Sequence, residues 1–545
     1  MNDTPFGPEQ HQGRLGVVVG GSLTDGIDVR LDAGRSTEDV KVGTFVGIQG
    51  DRSRFLGVVT DVSLEATDPT LKANPPDMSD PYVAGVVSGT AAYGIVKVEP
   101  MLVIDVEGHQ PAKTVPGHFA TVSTASEEDI QMVFGSEDDR HFWIGSPLDM
   151  ETRLCLDIQE LVKRSNGVFG KSGTGKTFLT RLLLAGILQS GEATNLVFDM
   201  ESEYGWQGYS EANIAVKGLK QLFSSKVAVF SLDEESSKRR GLTPDYIVRI
   251  GYEEIEPEDI EILRELLNLS DVAADAAHFL RQHFGAKSWL REFLALRGRE
   301  EVRAVADAMN VNPGALLTLQ NRLSRLGRFA FMDENSRHDS VDHILTYLDR
   351  GYHVVLEFGR YGRDTAAYVL VANLLTRRIY RRYVERKERA STGGEEPRPM
   401  VITIEEAHKF LTPSVAGQTI FGTIAREMRK YNVTLLIVDQ RPSGIDQEVL
   451  SQLGTKFTCL LDSEPDIDAV LRGVSGSRKL RSVLARLESK QQALIFGHAL
   501  PMPVVVRTRD YGTADSYREL GFRDAVELKA KVERDVQDLF GPPEQ

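Results

Sequence analysis

Eight residues constrain this chain more than any others: Gly170-Lys171-Ser172-Gly173-Thr174-Gly175-Lys176-Thr177. They fit G-x-x-x-x-G-K-[ST], the loop with which nucleotide-using proteins hold phosphate. Glycines let such a loop turn tightly with its backbone N–H groups aimed inward at anionic oxygens. The helix that follows adds the positive end of its dipole. In this pattern Gly170, Ser172, Gly173, Thr174 and Gly175 line the phosphates, Lys176 reaches the β- and γ-phosphates, and the Thr177 hydroxyl faces Mg²⁺. A short apolar run, Gly167-Val168-Phe169, precedes the loop, and an apolar-striped run from Phe178 to Leu188 follows it. Strand, loop and helix in that order predict an α/β fold around bound ATP and Mg²⁺.

Composition narrows the class. A chain of 545 residues is long enough for about two to four domains, each with its own core. Lys and Arg number 64 against 79 Asp and Glu, a net charge of −15. That balance argues against a general nucleic-acid coat but leaves room for a local basic channel. Cys155 and Cys459 stand far apart, without metal-type spacing, and read as buried thiols in a reducing compartment. No apolar run approaches the ~20 residues of a membrane span, and residues 1–13 lack the apolar centre of a signal peptide. A cytoplasmic enzyme with no membrane partner is expected.

Residues 14–125 carry short β-rich runs at Arg14–Val19, Ile27–Leu31, Thr44–Ile48, Phe55–Val62, Tyr82–Val87, Tyr93–Val98 and Met101–Val106, the spacing of a small closed barrel. Ala66–Asp80, rich in proline, reads as a surface loop. From residue 126 the pattern is α/β, with strands expected at Asn195–Asp199, Val227–Leu232, His353–Phe358, Met400–Glu405, Thr434–Asp439, Phe457–Asp462 and Ala493–Phe496. Residues 244–330 interrupt the alternation. Pro257–Leu267 has helical spacing, Asn312-Pro313 reads as an N-cap followed by proline, and Leu316, Leu319, Leu323 and Leu326 make one apolar face. The expected layout is a flexible tail (1–13), a barrel (14–125), a nucleotide-binding core in two parts (126–243 and 331–515), a helical insertion (244–330), and a C-terminal tail (516–545) with a helix over Arg523–Phe540.

Hydrolysis needs more than a phosphate loop: metal ligation, a group that orients water, and a charge clamp on the γ-phosphate. The apolar run Met400–Ile404 is closed by Glu405-Glu406-Ala407-His408. Carboxylates at the C-terminal end of a strand sit where open α/β sheets bind ligands. Glu405 is expected in the Mg²⁺ shell and Glu406 on the attacking water; the plain alternative is a pair of solvated acids. Asp199 ends another strand and would support the metal or the water. Gln440 follows a third and would sense the γ-phosphate. Arg426 and Arg429, on the helix Thr423–Tyr431, either face a neighbouring subunit's nucleotide or form a solvated basic face. Arg164, shortly before the loop, is expected to touch phosphate within its own subunit.

Taken together, these motifs resemble HerA-type translocases of the HerA–FtsK group. The likeness includes the opening Gly13–Val18, Gly170–Thr177, Asp199–Tyr204, Glu405–His408, Ala425–Tyr431 and Asp439–Ser443, and Phe496–Val504 is similar to the family's terminal brace. Glu405 stands where many relatives have Asp, and Asp439 where a small residue, often Ser, is common. The resemblance implies a RecA-like P-loop ATPase core with an N-terminal HAS barrel and a helical insertion. It also implies a six-membered ring of this chain, double-stranded DNA in a central pore, and ATP sites between subunits. As partner it implies a NurA-type nuclease in DNA end processing or an effector in antiviral defence. The alternative is a ring that binds ATP chiefly as an assembly platform for such a partner.

Two basic clusters are candidates for DNA backbone contacts. Thr376–Arg389 holds Arg377, Arg378, Arg381, Arg382, Arg386, Lys387 and Arg389, interleaved with Glu385 and Glu388, so a solvated or intersubunit face reads equally well. Arg472, Arg478, Lys479 and Arg481 form the second. With no zinc pattern and no base-reading helix, sequence-independent tracking of the backbone is the expected mode.

Overall fold

The computed structural model describes residues 13–87, 90–105, 108–148, 150–209, 214–334, 339–474, 477–488 and 490–521. The expected tail before Gly13 and the expected helix over Arg523–Phe540 lie outside them, as do the side chains of Arg429, Arg478 and Lys479. The chain forms two compact units: Met1–Asp157 with Lys456–Arg509, and Ile158–Thr455 with Asp510–Gln545.

In the first unit six strands close a barrel. Arg14–Ser22, Gly26–Leu31, Ala92–Asp105, Arg54–Ala66, Phe45–Gln49 and Thr121–Thr124 pair in a ring, because Gly26–Leu31 also pairs with Ala92–Asp105. Alternation drives the closure: Val18, Ile27, Val29, Val46, Ile48, Val59, Val96 and Val98 point into one core. Two expected strands, Tyr93–Val98 and Met101–Val106, are one long strand. The expected strand Tyr82–Val87 is a helix, Pro81–Val87. Asp80 accepts the Tyr82 N–H at 2.8 Å, and Pro81 fits the first helical position, so local capping overrides the β-rich composition.

The same unit contains Leu154–Asp157, His141–Pro147, Val504–Thr508 and Gln492–Gly497, paired antiparallel in that order. By compactness these strands, with residues 126–157 and 456–509, fall in the first unit, while the nucleotide-binding strands fall in the second. Antiparallel neighbours need no crossover helix, so the alternation that marks the core does not extend over them.

The second unit is a parallel sheet in the order Tyr246–Ile247, Val227–Ser231, His353–Glu357, Thr194–Asp199, Met400–Glu405, Val433–Asp439 and Asn166–Phe169. Its central strands are buried on both faces, as a helix-covered parallel sheet requires. Phe169 is level with Asp439 and Glu405 with Val438, so the strands bearing the expected site residues end at one rim. The insertion is helical, with Asn312 capping Pro313–Leu323 and Leu316, Leu319, Leu323 and Leu326 buried. Among the described residues, no helix is long and apolar enough to cross a membrane.

The basic helix is not a free positive face. It spans Thr365–Ala390 and lays a ladder of arginines on the acids beside it. Arg377 meets Glu256 and Asp259 at 2.7 Å, and Arg378 meets Asp339 at 2.6 Å and also Glu254. Arg381 meets Glu256 at 2.6 Å, Arg382 meets Asp342 at 3.3 Å and Arg386 meets Asp349 at 2.7 Å. Arg481 of the second cluster pairs with Glu464 and Asp468.

Candidate active site

Phe169 delivers the chain to the phosphate loop at the rim. Gly173 and Gly175 have φ of 78° and 92°, the left-handed region that glycine enters without strain. Gly175 is also the N-cap of Lys176–Ser190 and supplies no side chain to the helix's first N–H groups, which suits a site meant for an anion. Within the loop, the Thr174 hydroxyl and Lys176 Nζ both donate to the Lys171 carbonyl at 2.8 Å.

Glu405 and Glu406, adjacent in sequence, have different surroundings. Tyr204 donates its hydroxyl to Glu405 Oε1 at 2.9 Å, and the Tyr368 hydroxyl accepts the Glu405 N–H at 3.2 Å and donates to its carbonyl at 3.0 Å. Glu405 Oε2 is buried and has no partner. Burial first, then the charge of Asp199, pushes this carboxyl up to about 8, while the Tyr204 hydrogen bond opposes the shift. A buried carboxylate oxygen without a donor is costly unless a proton or a cation supplies the missing partner. That orphaned oxygen, at the same rim of the sheet as the phosphate loop, fits a hard cation such as Mg²⁺.

Glu406 has φ of 50°, a left-handed conformation that costs a non-glycine residue about 1–3 kcal/mol. The strained turn directs its carboxylate to Gln440, whose Nε2 donates to Glu406 Oε1 at 2.7 Å. His408 Nδ1 lies 3.5 Å from Glu406 Oε2 and 2.9 Å from Asp439 Oδ2. The bond to Asp439 raises the imidazole's pKa against the opposing effect of burial. Asp439 Oδ2 also accepts the His408 N–H at 2.7 Å, and its Oδ1 accepts the Arg441 N–H at 2.6 Å. One buried acid thus ties together the turns that carry Glu406 and Gln440. His408 and Asp439 were not among the expected site residues. The available signal was a histidine two residues beyond the second glutamate and an acid directly before the glutamine.

Asp199 corrects an expectation. Its Oδ1 accepts the Glu203 N–H at 2.8 Å, and its Oδ2 accepts those of Tyr204 and Gly205 at 2.8 and 3.1 Å. It is fully buried and level with Glu357, and burial and that second acid raise its pKa. Its oxygens organise the loop after the strand, so it stands behind the site and not in it.

Arg164 corrects another. It precedes the strand Asn166–Phe169, whereas the phosphate loop follows it. Asn166 is level with Leu436, so Arg164 lies beside the start of the neighbouring strand, at the opposite end of the sheet from Gly170. There it lines a cavity of about 260 Å³ with Lys163, Arg426, Thr434 and Gln452. Arg426 donates to the Ala416 carbonyl at 3.3 Å and lies 3.8 Å from Glu448. The structure brings Lys176, Thr177, Glu405, Glu406 and Gln440 to one rim, and gathers Arg164 and Arg426 at the other end of the same strands.

Comparison with known proteins agrees with this architecture. Residues 142–379 match the family "Helicase HerA, central domain", and residues 15–109 match the HAS barrel domain. The "DNA double-strand break repair helicase HerA" of Sulfolobus acidocaldarius is 24% identical over 499 residues, covering 90% of this chain and 92% of its own. Its namesake from Pyrococcus furiosus is 23% identical over 435 residues, covering 72% and 73%. Among solved structures, VirB4 of Thermoanaerobacter pseudethanolicus overlaps 70% of this chain and 100% of its own, at 15% identity and a TM-score of 0.44. With one region matching the HAS barrel domain, another matching the HerA central domain, and a phosphate loop at the same rim as paired carboxylates, the chain is a P-loop ATPase similar over most of its length to HerA helicases.

Proposed function

We propose that this chain forms a ring, hexameric by analogy with the family it resembles, that hydrolyses ATP between subunits to move double-stranded DNA through a central pore in the cytoplasm. The observation that carries the reading is the separation of acids from arginines. Glu406 and Gln440, 2.7 Å apart, stand at the phosphate-loop rim, while Arg164 and Arg426 share a cavity at the far end of the strands. A subunit so built does not bring those arginines to its own phosphates, so they serve a neighbour's.

The roles follow from position. Loop N–H groups and Lys176 hold the phosphates, and Thr177 and Glu405 hold Mg²⁺, which neutralises developing charge when bound. Glu406 orients the attacking water and takes its proton, and Gln440 reports the γ-phosphate to Glu406 through their hydrogen bond. Arg426 and Arg164, from the adjacent subunit, stabilise the transition-state charge, and Arg429 lies on the same segment. The test is ATP turnover with and without duplex DNA, combined with mass photometry. Turnover stimulated by duplex DNA in a ring-sized species supports the reading, and DNA-indifferent turnover by a monomer defeats it.

A second reading has its own observation. The barrel helix Pro81–Val87 buries none of its residues and leaves Tyr82 80% and Val86 56% exposed. An apolar knob of this kind suits a protein partner, either a NurA-type nuclease or an antiviral effector, with the ring as its platform. Glu406→Gln should then keep partner binding, and Tyr82→Asp with Val86→Asp should lose it.

A further inference from the structure

The two carboxylate oxygens of Glu406 are treated differently. Gln440 Nε2 donates to Oε1 at 2.7 Å, while none of the described residues donates a hydrogen bond to Oε2. His408 Nδ1 stands 3.5 Å from Oε2, too far to bond it, because it is turned to Asp439 Oδ2 at 2.9 Å. A carboxylate accepts, so Nδ1 carries the hydrogen and gives it to Asp439. Asp439 is placed to keep it. Its side chain is buried, its Oδ2 also accepts the His408 backbone N–H at 2.7 Å, and its Oδ1 accepts that of Arg441 at 2.6 Å. It is level with Phe169, the last residue before the phosphate loop. The Glu406 turn is closed from its other side, where the Lys409 N–H donates to the Glu406 carbonyl at 2.8 Å. The imidazole thus has one acceptor that it holds and a second, Glu406 Oε2, which a small movement of the ring would bring into bonding range.

We propose that Asp439 is a positioning residue for the water-activating Glu406: by taking the His408 Nδ1–H it keeps the imidazole off Glu406 Oε2 and leaves that oxygen open to the attacking water. With Gln440 on Oε1, a second donor on Oε2 would occupy both oxygens, and the base would have to give up a hydrogen bond before it could accept a proton. The proton leaving water goes to Oε2 itself. Asp439 and His408 neither gain nor lose one.

The inference rests on the hydrolysis reading, and the experiment separates the two. Steady-state ATP turnover and binding of a fluorescent ATP analogue are measured on the full chain with Mg²⁺, for Asp439→Ser, His408→Leu and the double variant. Asp439→Ser frees the Nδ1–H and should lower kcat about 10-fold, the smallest factor that a hydrogen bond to a charged group represents, with KM and analogue affinity within about two-fold of the unaltered protein. His408→Leu removes the donor and should cost about 3-fold, the loss of one tie in the turn. The double variant should turn over as His408→Leu does, faster than Asp439→Ser, because an absent ring cannot cover the base. A merely structural Asp439 gives the opposite order, with the double variant slowest. If Asp439→Ser folds poorly by circular dichroism, Asp439→Asn keeps the volume, has one oxygen for two turns, and should show the same rescue by His408→Leu. An Asp439 variant as fast as the unaltered protein, or a double variant no faster than the Asp439 variant alone, overturns the inference and leaves hydrolysis standing. Absence of ATP turnover by the unaltered protein overturns both.

Discussion

The two ends of the parallel sheet are chemically opposite. At the C-terminal rim, acids converge on the phosphate loop: Glu405 is held by two tyrosines, and Glu406 by Gln440, with His408 and Asp439 behind them. At the other end Lys163, Arg164 and Arg426 gather around a cavity of about 260 Å³ with a single acid, Glu427, in its lining. Parallel strands explain the division. Their carboxyl ends all point one way, so loops after strands share one rim and segments before strands share the other. The strand Asn166–Phe169 joins Arg164 to Gly170 while holding them apart. On the proposed reading each end carries half a hydrolytic site, and apposition of two copies would complete one.

Four measurements would break or sharpen that contrast. The largest effect belongs to the acidic rim: Lys176→Ala and Glu406→Gln should each lower ATP turnover about 10³-fold, with Glu406→Gln still binding nucleotide. Turnover within ten-fold of the parent for Glu406→Gln would remove the rim from the chemistry. Next come the arginines. Arg426→Ala and Arg164→Ala should each cost about 10²-fold, and mixing Lys176→Ala with Arg426→Ala subunits should recover part of the activity. Recovery occurs only if a subunit lends its arginine to a neighbour, so its absence at matched ring assembly would place both halves in one chain.

A third test concerns arginines that belong to neither end. Arg378→Ala removes the partner of Glu254 and Asp339, a half-buried pair, and should cost about 3 kcal/mol in denaturant unfolding. The salt dependence of DNA binding should stay unchanged, because a paired guanidinium releases no counterions from DNA. A reduced salt slope would return this helix to the DNA-binding surface.

The smallest effect probes the sheet itself. His353 Nδ1 accepts the Asn195 N–H at 3.1 Å, and burial, aided by Lys226 and Arg398, pushes its pKa down to about 3 from 6.5. The unfolded chain therefore binds a proton that the folded chain refuses, so stability is full above pH 6.5 and lost as pH falls toward 3. At pH 5 this amounts to about 2 kcal/mol, a drop of a few degrees in melting temperature. His353→Gln should have a shallower acid limb, and an identical limb would show that other groups dominate.

Much of the rim was legible from residues alone. Gly170–Thr177, Glu405-Glu406 and Gln440 each follow a short apolar run, and an apolar run before a polar residue marks a strand's end. The insertion was legible too, because Asn312-Pro313 and the leucines at helical spacing are local signals. Less legible was everything that depends on partners distant in sequence. Seven basic residues between Thr376 and Arg389 read equally as a DNA face or a solvated one, but all except Arg389 find their acids at residues 254–259, 339–349 and 396. Asp199 read as a metal or water residue because it ends a strand, yet three N–H groups from its own loop occupy its oxygens. The helix Pro81–Val87 read as a strand because its valines outweighed one proline cap.

By itself the sequence determined that this chain carries a phosphate loop on an α/β core, a β-barrel before it, and two acids and a glutamine at the ends of apolar strand runs. Those properties rest on spacing, and spacing along a chain is local. Tertiary structure decided which of the candidate groups meet: that Tyr204 donates to Glu405, that Asp439 ties His408 to the Glu406 turn, and that Arg164 stands a strand's length away from the loop it precedes. Charges act through space, and only the fold sets which of them are neighbours.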